Sequence, residues 1–169
     1  KDSERGRVIW YAGGILDRKN ILASHRGVDE VDHGQYDVSL ETDFATGCAM
    51  LIRTSVLEKI GLFDEKYFLY FEDLDLSLRI KKSGFKIEFV PASVVWHFNA
   101  GSTGGSGSEL QDYFISRNRL YFGLRYGSLR AKSALIKESI KLIARGRAAQ
   151  RSGIRDYYLR RLGKGPMIK

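Results

Sequence analysis

The sequence predicts an α/β architecture in which short mixed strands give way to a helical C-terminal tail. Three observations point to it. Short β-prone runs bounded by glycine or proline recur as far as residue 97. From residue 109 onward, apolar side chains return at helical spacing. Between them, residues 67–80 read Tyr-Phe-Leu-Tyr-Phe-Glu-Asp-Leu-Asp-Leu-Ser-Leu-Arg-Ile, an aromatic run driving into Glu72, Asp73 and Asp75. Aromatic rings bury large apolar areas, so this run belongs in a core. The carboxylates then either stand on a rigid, partly dry mount, where a pKa can be tuned, or decorate a solvated first helical turn.

The elements follow in order. Residues 8–11, Val-Ile-Trp-Tyr, read as a strand ended by Gly13-Gly14. Residues 17–41 are polar and lack a sustained period, so they read as a long irregular connection. Residues 49–52, Ala-Met-Leu-Ile, look like a buried strand, and Thr54 or Ser55 can cap a short helix over 56–60 that stops at Gly61. After Asp73, Leu74, Leu76, Leu78 and Ile80 alternate with polar residues as in a strand, yet Phe71, Leu74 and Leu78 also fit a helix. Lys81-Lys82 and then Gly84 make a helix end, and helix is the favoured reading. Residues 85–90 alternate as a strand stopped by Pro91, and 93–97 form another that delivers His97 to its end. Residues 100–108 are a flexible Gly/Ser loop by composition, without the Gly-Lys-Ser/Thr of a Walker phosphate loop. Helices are expected over 109–126, 130–146 and 148–162, with Gly127 and Gly153 as interruptions.

Composition narrows the class. The 169 residues make one domain or a large part of a bigger one, and 43% hydrophobic content suffices for a core. No apolar run approaches the roughly 20 residues of a membrane span, and the charged start, Lys-Asp-Ser-Glu-Arg-Gly-Arg, does not read as a signal peptide. The single cysteine, Cys48, reads as a small buried hydrophobe in a reducing compartment. The net charge of +8 is unevenly placed: residues 108–169 carry 15 Lys and Arg against 4 Asp and Glu, and residues 1–107 carry 13 against 16. The tail therefore faces an anionic partner, a membrane surface or nucleic acid. Two domains are expected on this basis, 1–107 and a basic helical region 108–169.

Several phrases together resemble the C-terminal, acceptor-side half of family 2 glycosyltransferases, the rhamnosyltransferase-like group in particular. They are Asp43-Phe-Ala-Thr-Gly-Cys-Ala-Met-Leu-Ile-Arg53, Ile60-Gly-Leu-Phe-Asp-Glu65, the 67–76 stretch, Val90-Pro-Ala92, Val94-Val-Trp-His97 and Arg117-Asn-Arg119. The resemblance implies part of an A-type, Rossmann-like glycosyltransferase fold and an inverting transfer of a sugar, rhamnose among the candidates, from a nucleotide-sugar donor. The acceptor would be a cell-surface polysaccharide or a lipid-linked glycan, met in the cytoplasm at the inner face of the plasma membrane. By resemblance Asp73 is the general base, Glu72 orients the acceptor or Asp73, Asp75 caps or pairs, and Thr46 and Gly47 line the acceptor pocket. His97 joins a divalent-metal site for Mg or Mn, Arg117 or Arg119 reaches the donor diphosphate, and the Gly/Ser loop closes over the donor. Nothing marks His25 or His33 as ligands.

The family's donor-binding half, with its strand–helix repeats and metal-holding Asp-x-Asp, is not recognised here. Asp73-Leu74-Asp75 fits that pattern, but its aromatic lead-in identifies it with the base region. The expectation is a chain inactive alone, its half-sheet burying an apolar face by homo-oligomerisation. The rival readings are a basic helical module that binds nucleic acid and one that binds a partner chain. The tail aromatics Tyr113, Phe114, Tyr121, Phe122 and Tyr126 recur at helix-packing spacings, which counts against nucleic acid.

Overall fold

Strand pairing begins later than the sequence suggests. In the computed structural model, which describes residues 6–97 and 107–166, Val8 makes one antiparallel bridge to Val31. The first strand proper is β1, Gly14–Asp17, paired with β2, Leu22–His25. Residues 9–11 continue beside residues 29 and 30 without regular ladder pairing. Ile9 N–H donates to the Glu30 carbonyl at 2.8 Å, and Trp10 and Tyr11 set their rings against His25. The 17–41 connection is correspondingly less irregular than expected, since it holds β2 and reaches β3, Leu40–Glu41.

β3 pairs antiparallel with β4, Glu88–Phe89, with Leu40 opposite Phe89 and Glu41 opposite Glu88. The alternation over 85–90 thus yields only two ladder residues. Residues 93–97 form no strand, and Val94 and Trp96 stand 73% and 75% exposed. Residues 49–52 likewise form no strand: Met50 and Ile52 pack on the core while Leu51 is fully exposed. A period-2 pattern says which side chains turn inward, but a strand also needs a neighbour.

Helix α1, Thr54–Ile60, begins two residues earlier than read. Its N-cap is Arg53, and no side chain caps it. Helix α2, Glu72–Lys82, settles the ambiguity after Asp73. Leu74, Asp75, Leu76, Ser77, Leu78 and Ile80 are all buried, so α2 is enclosed on most sides and both periods fit its sequence. Asp75, wholly buried, accepts from Arg79 Nε at 2.8 Å, and Arg79 also reaches the carbonyls of Ile60 and Leu62. Leu76 and Ile80 join Val56 and Ile87 in one apolar cluster.

The described chain divides into two compact units, residues 6–16, 23–63 and 73–97 in one and 17–22, 64–72 and 107–166 in the other. The second unit contains α3, Glu109–Tyr126, α4, Leu129–Arg145, and α5, Ala148–Tyr158. Ser108 caps α3 through the Gln111 N–H and Ser128 caps α4 through the Ala131 N–H. The rest of the Gly/Ser stretch, 100–106, lies outside the described residues. Helix α5 stops at Tyr158, short of the expected 162, and Gly153 does not interrupt it. A Cβ there would sit 2.4 Å from the Tyr113 carbonyl oxygen, so glycine lets α5 approach the backbone of α3.

Residues 67–71 pack within this helical unit. Tyr67, Phe68 and Phe71 set their rings on Tyr121, Phe114 and Phe122 of α3, at 4.9, 5.4 and 5.7 Å between centroids. Phe68, Tyr70 and Phe71 take left-handed backbone conformations, with φ of 62, 64 and 73°. Non-glycine residues hold such angles only where the surroundings over-determine them. Asn118 does so here: its buried amide reaches the carbonyls of Tyr67, Leu69 and Tyr70 at 2.7–2.9 Å.

Candidate active site

Asp73 is the second residue of α2, at a helix start where backbone N–H groups lack intrahelical acceptors. Its Oδ1 accepts from the Leu74 N–H at 2.8 Å and its Oδ2 from the Gly47 N–H at 3.1 Å. Burial pushes the carboxyl above its ordinary 3.8, and the N–H groups of Gly47 and Leu74 and the nearby His25 pull it partly back. The result is a carboxylate fixed in orientation and more basic than an exposed aspartate. Glu72, half-buried, is the first residue of α2.

Gly47 sits in a tight turn closed by the Ala49 N–H on the Thr46 carbonyl at 3.3 Å. Thr46 is buried and Gly47 exposed, so the threonine supports the turn and the glycine presents it. Cys48, next in the chain, is exposed rather than buried as expected. Its Sγ lies 3.4 Å from His97 Nε2, because residues 47–49 turn outward instead of entering a strand.

The His97 ring stacks at a tilt on Trp10, 4.7 Å between centroids, and Trp10 meets His25 edge-on at 4.5 Å. His25 Nδ1 faces the Trp10 carbonyl at 3.1 Å. A carbonyl can only accept, so Nδ1 carries the proton and Nε2 of the neutral ring is an acceptor. Burial lowers the His25 pKa below 6.5, against the Trp10 hydrogen bond and the Asp73 charge. Tyr11 donates its hydroxyl to the Phe44 carbonyl, and burial followed by the Asp73 charge raises its phenol pKa. Asp73, Gly47, Cys48, His97, Trp10 and His25 therefore form one continuous set within a single unit.

Sequence reasoning passed over His25, Trp10 and Tyr11. The only local signal was the aromatic pair at 10–11, which fitted a strand equally well.

Arg117 and Arg119, expected at a donor diphosphate, are engaged inside the helical unit. Arg117 is wholly buried, donating to the Tyr67 carbonyl at 2.9 Å and to Asn118 Oδ1 at 2.9 Å, with the Lys66 carbonyl at 3.3 Å. Arg119 holds the carbonyls of Asn20 and Ile21 and pairs with Glu138. A guanidinium committed to fixed backbone carbonyls is a structural clamp. The motif is legible in sequence, but its partners are the protein's own carbonyls.

Among the described residues, no group of three or more His, Cys, Asp or Glu converges to hold a metal ion. His97 with Cys48 supplies two such groups only, so these residues do not fit a divalent-metal centre by themselves. No described helix is long and apolar enough to cross a membrane.

The chain belongs to glycosyltransferase like family 2, whose model matches residues 25–123, more than half of it. Members of this family generally use a divalent metal. Over 59 residues the chain is 44% identical to the N-acetylglucosaminyl-diphospho-decaprenol L-rhamnosyltransferase of Mycobacterium tuberculosis, covering 35% of this chain and 19% of that protein. It is 39% identical over 56 residues to rhamnosyltransferase WbbL of Escherichia coli, covering 33% and 21%. The probable glycosyltransferase YdaM of Bacillus subtilis is 38% identical over 50 residues, covering 30% and 11%. The matched stretch thus spans about a fifth or less of these relatives' lengths. No solved structure matches the chain.

Proposed function

We propose that Asp73 is the general base of an inverting glycosyl transfer from a nucleotide-sugar to a hydroxyl of a polysaccharide or lipid-linked glycan acceptor. The observation that carries this reading is the Asp73 carboxylate itself, aimed by two backbone N–H groups and made more basic by burial. In the step, Asp73 takes the acceptor hydroxyl proton as that oxygen forms its bond to the anomeric carbon. The bond to the departing nucleoside diphosphate breaks on the opposite face and the leaving oxygen keeps the electron pair. Glu72 orients the acceptor, and the Thr46–Gly47 turn forms the wall beside it.

Rhamnose is the proposed sugar, on the strength of the names of the mycobacterial and Escherichia coli relatives. The mycobacterial name also specifies a diphospho-decaprenol acceptor, which supports a lipid-linked acceptor at the inner face of the plasma membrane. In this reading the two small sheets are part of an A-type, Rossmann-like fold.

The test is Asp73→Asn in the active enzyme that contains this chain. A positioned base contributes on the order of 10²–10⁴ in rate, so transfer should fall by that factor with donor affinity and circular dichroism unchanged. Near-normal turnover by the Asn variant would remove Asp73 from the mechanism.

A further inference from the structure

Helix α4 packs only one of its faces. Ala131, Leu135 and Ser139 are buried within the helical unit. On a neighbouring face Leu129, Ile136, Ile140 and Ile143 stand 86%, 43%, 61% and 46% exposed. At 100° per residue these four fall within about 60° of one another, a single apolar stripe along the helix. Tyr158 of α5, 48% exposed, borders it, its hydroxyl 2.7 Å from Ser139 Oγ. Isolated exposed apolar residues are ordinary, but an aligned stripe on an amphipathic helix marks an interaction surface.

The charges beside the stripe identify what covers it. Arg130, Lys137, Lys141 and Arg145, all exposed, lie along one flank, and Lys132 lies on the other. Glu138, the one acid of the helix, is turned away and paired with Arg119. A second copy of the chain would bring like charges together at both flanks. Nucleic acid would meet the cations but leave four aliphatic side chains against phosphate. An anionic lipid surface suits both features at once, with aliphatic residues in the acyl boundary and cations at the headgroups. The helix is 17 residues long and amphipathic, so it lies in the interface and does not cross it.

We propose that α4 is an interfacial docking helix for anionic lipid, inserting Leu129, Ile136, Ile140 and Ile143 with Tyr158 at the edge. The inference gives the lipid-linked acceptor reading its physical setting, and it is tested without donor, acceptor or turnover.

The experiment is vesicle flotation of the 169-residue chain. Vesicles of phosphatidylcholine alone are compared with vesicles containing phosphatidylglycerol. The chain is expected to float with the anionic vesicles only and to be released by salt. Ile136→Ser with Ile140→Ser should weaken partitioning at least about tenfold, given the apolar area withdrawn from the interface. Lys137→Gln and Lys141→Gln should each weaken it roughly fivefold. These side chains are exposed, so melting temperatures should stay at the wild-type value. Equal binding to neutral and anionic vesicles overturns the proposal, as does no binding to either. So does undiminished flotation of the Ile variant, or a dimer in sedimentation equilibrium that the Ile substitutions dissociate while vesicles are ignored. Loss of transfer in Asp73→Asn with flotation intact, or the reverse, separates this proposal from the catalytic one.

Discussion

A base must be charged to act, and burial makes charge costly; Asp73 stands between these requirements. Its folded pKa is raised, so its contribution to stability is complete below 3.8 and is lost as pH rises through the folded value. Activity runs the opposite way, because transfer needs the deprotonated form. The rate of the active enzyme should therefore climb with pH through a midpoint above 3.8, read from the acid limb of kcat/KM. A midpoint at or below 3.8 would mean that the limb reports another group. His25 has the reverse sign: its folded pKa is depressed, so stability is present above 6.5 and is lost as pH falls below that toward the folded value. In His25→Phe the melting temperature should lose this dependence. The gap to wild type should narrow between pH 6.5 and 5 as the wild-type histidine becomes protonated in the unfolded chain.

At the scale of elements, two contacts decide how the helical unit is built. Gly153 of α5 faces the backbone of α3, and alanine there would place a Cβ 2.4 Å from the Tyr113 oxygen. Alanine favours a helix by about 1 kcal/mol over glycine, but separating two packed helices costs about 1–3 kcal/mol. Gly153→Ala should therefore lower stability in a urea melt, and a stabilised variant would show that α3 and α5 are not in close contact. The second contact is Asn118 with the left-handed run at Tyr67–Tyr70. Asn118→Ala removes the amide donor from the part-buried Leu69 and Tyr70 carbonyls, while the Tyr67 carbonyl keeps Arg117, and should cost about 1–3 kcal/mol. Because that run leads directly into α2, transfer should also fall in the active enzyme. A loss of stability with transfer unchanged would limit Asn118 to folding.

For the whole molecule, the sheets set what the chain can bind. Its described strands form two separate two-stranded sheets, β1 with β2 and β3 with β4. A nucleotide-binding sheet takes several parallel strand–helix units, with the ligand at the carboxyl ends of the strands. Titrating the 169-residue chain with nucleotide-sugars and Mn²⁺ in a calorimeter is therefore expected to give no saturable heat. Micromolar affinity for one donor would place a nucleotide site on this chain and overturn that expectation.

Much of this protein was legible in its sequence because the relevant forces are local. Helices α1, α2 and α3 follow from apolar spacing and flanking glycines, although the cap expected of Thr54 or Ser55 is not formed. The family was carried by phrases of contiguous residues, among them the aromatic lead-in to Glu72 and Asp73. Strands were expected at 8–11, 49–52 and 93–97 from short β-prone and apolar runs, but such runs record burial, whereas a strand needs regular backbone pairing along its length, and 8–11 makes a single bridge. The same limit applies to the site. His25 and Trp10 approach Asp73 and His97 only through folding. Arg117 resembles a phosphate ligand until the carbonyls of Lys66 and Tyr67 occupy it, and Cys48 looks buried until its turn faces outward. Side-chain chemistry is written in the chain, but a hydrogen-bonding group takes whichever partner the fold brings within about 3 Å, and that choice belongs to the tertiary structure alone.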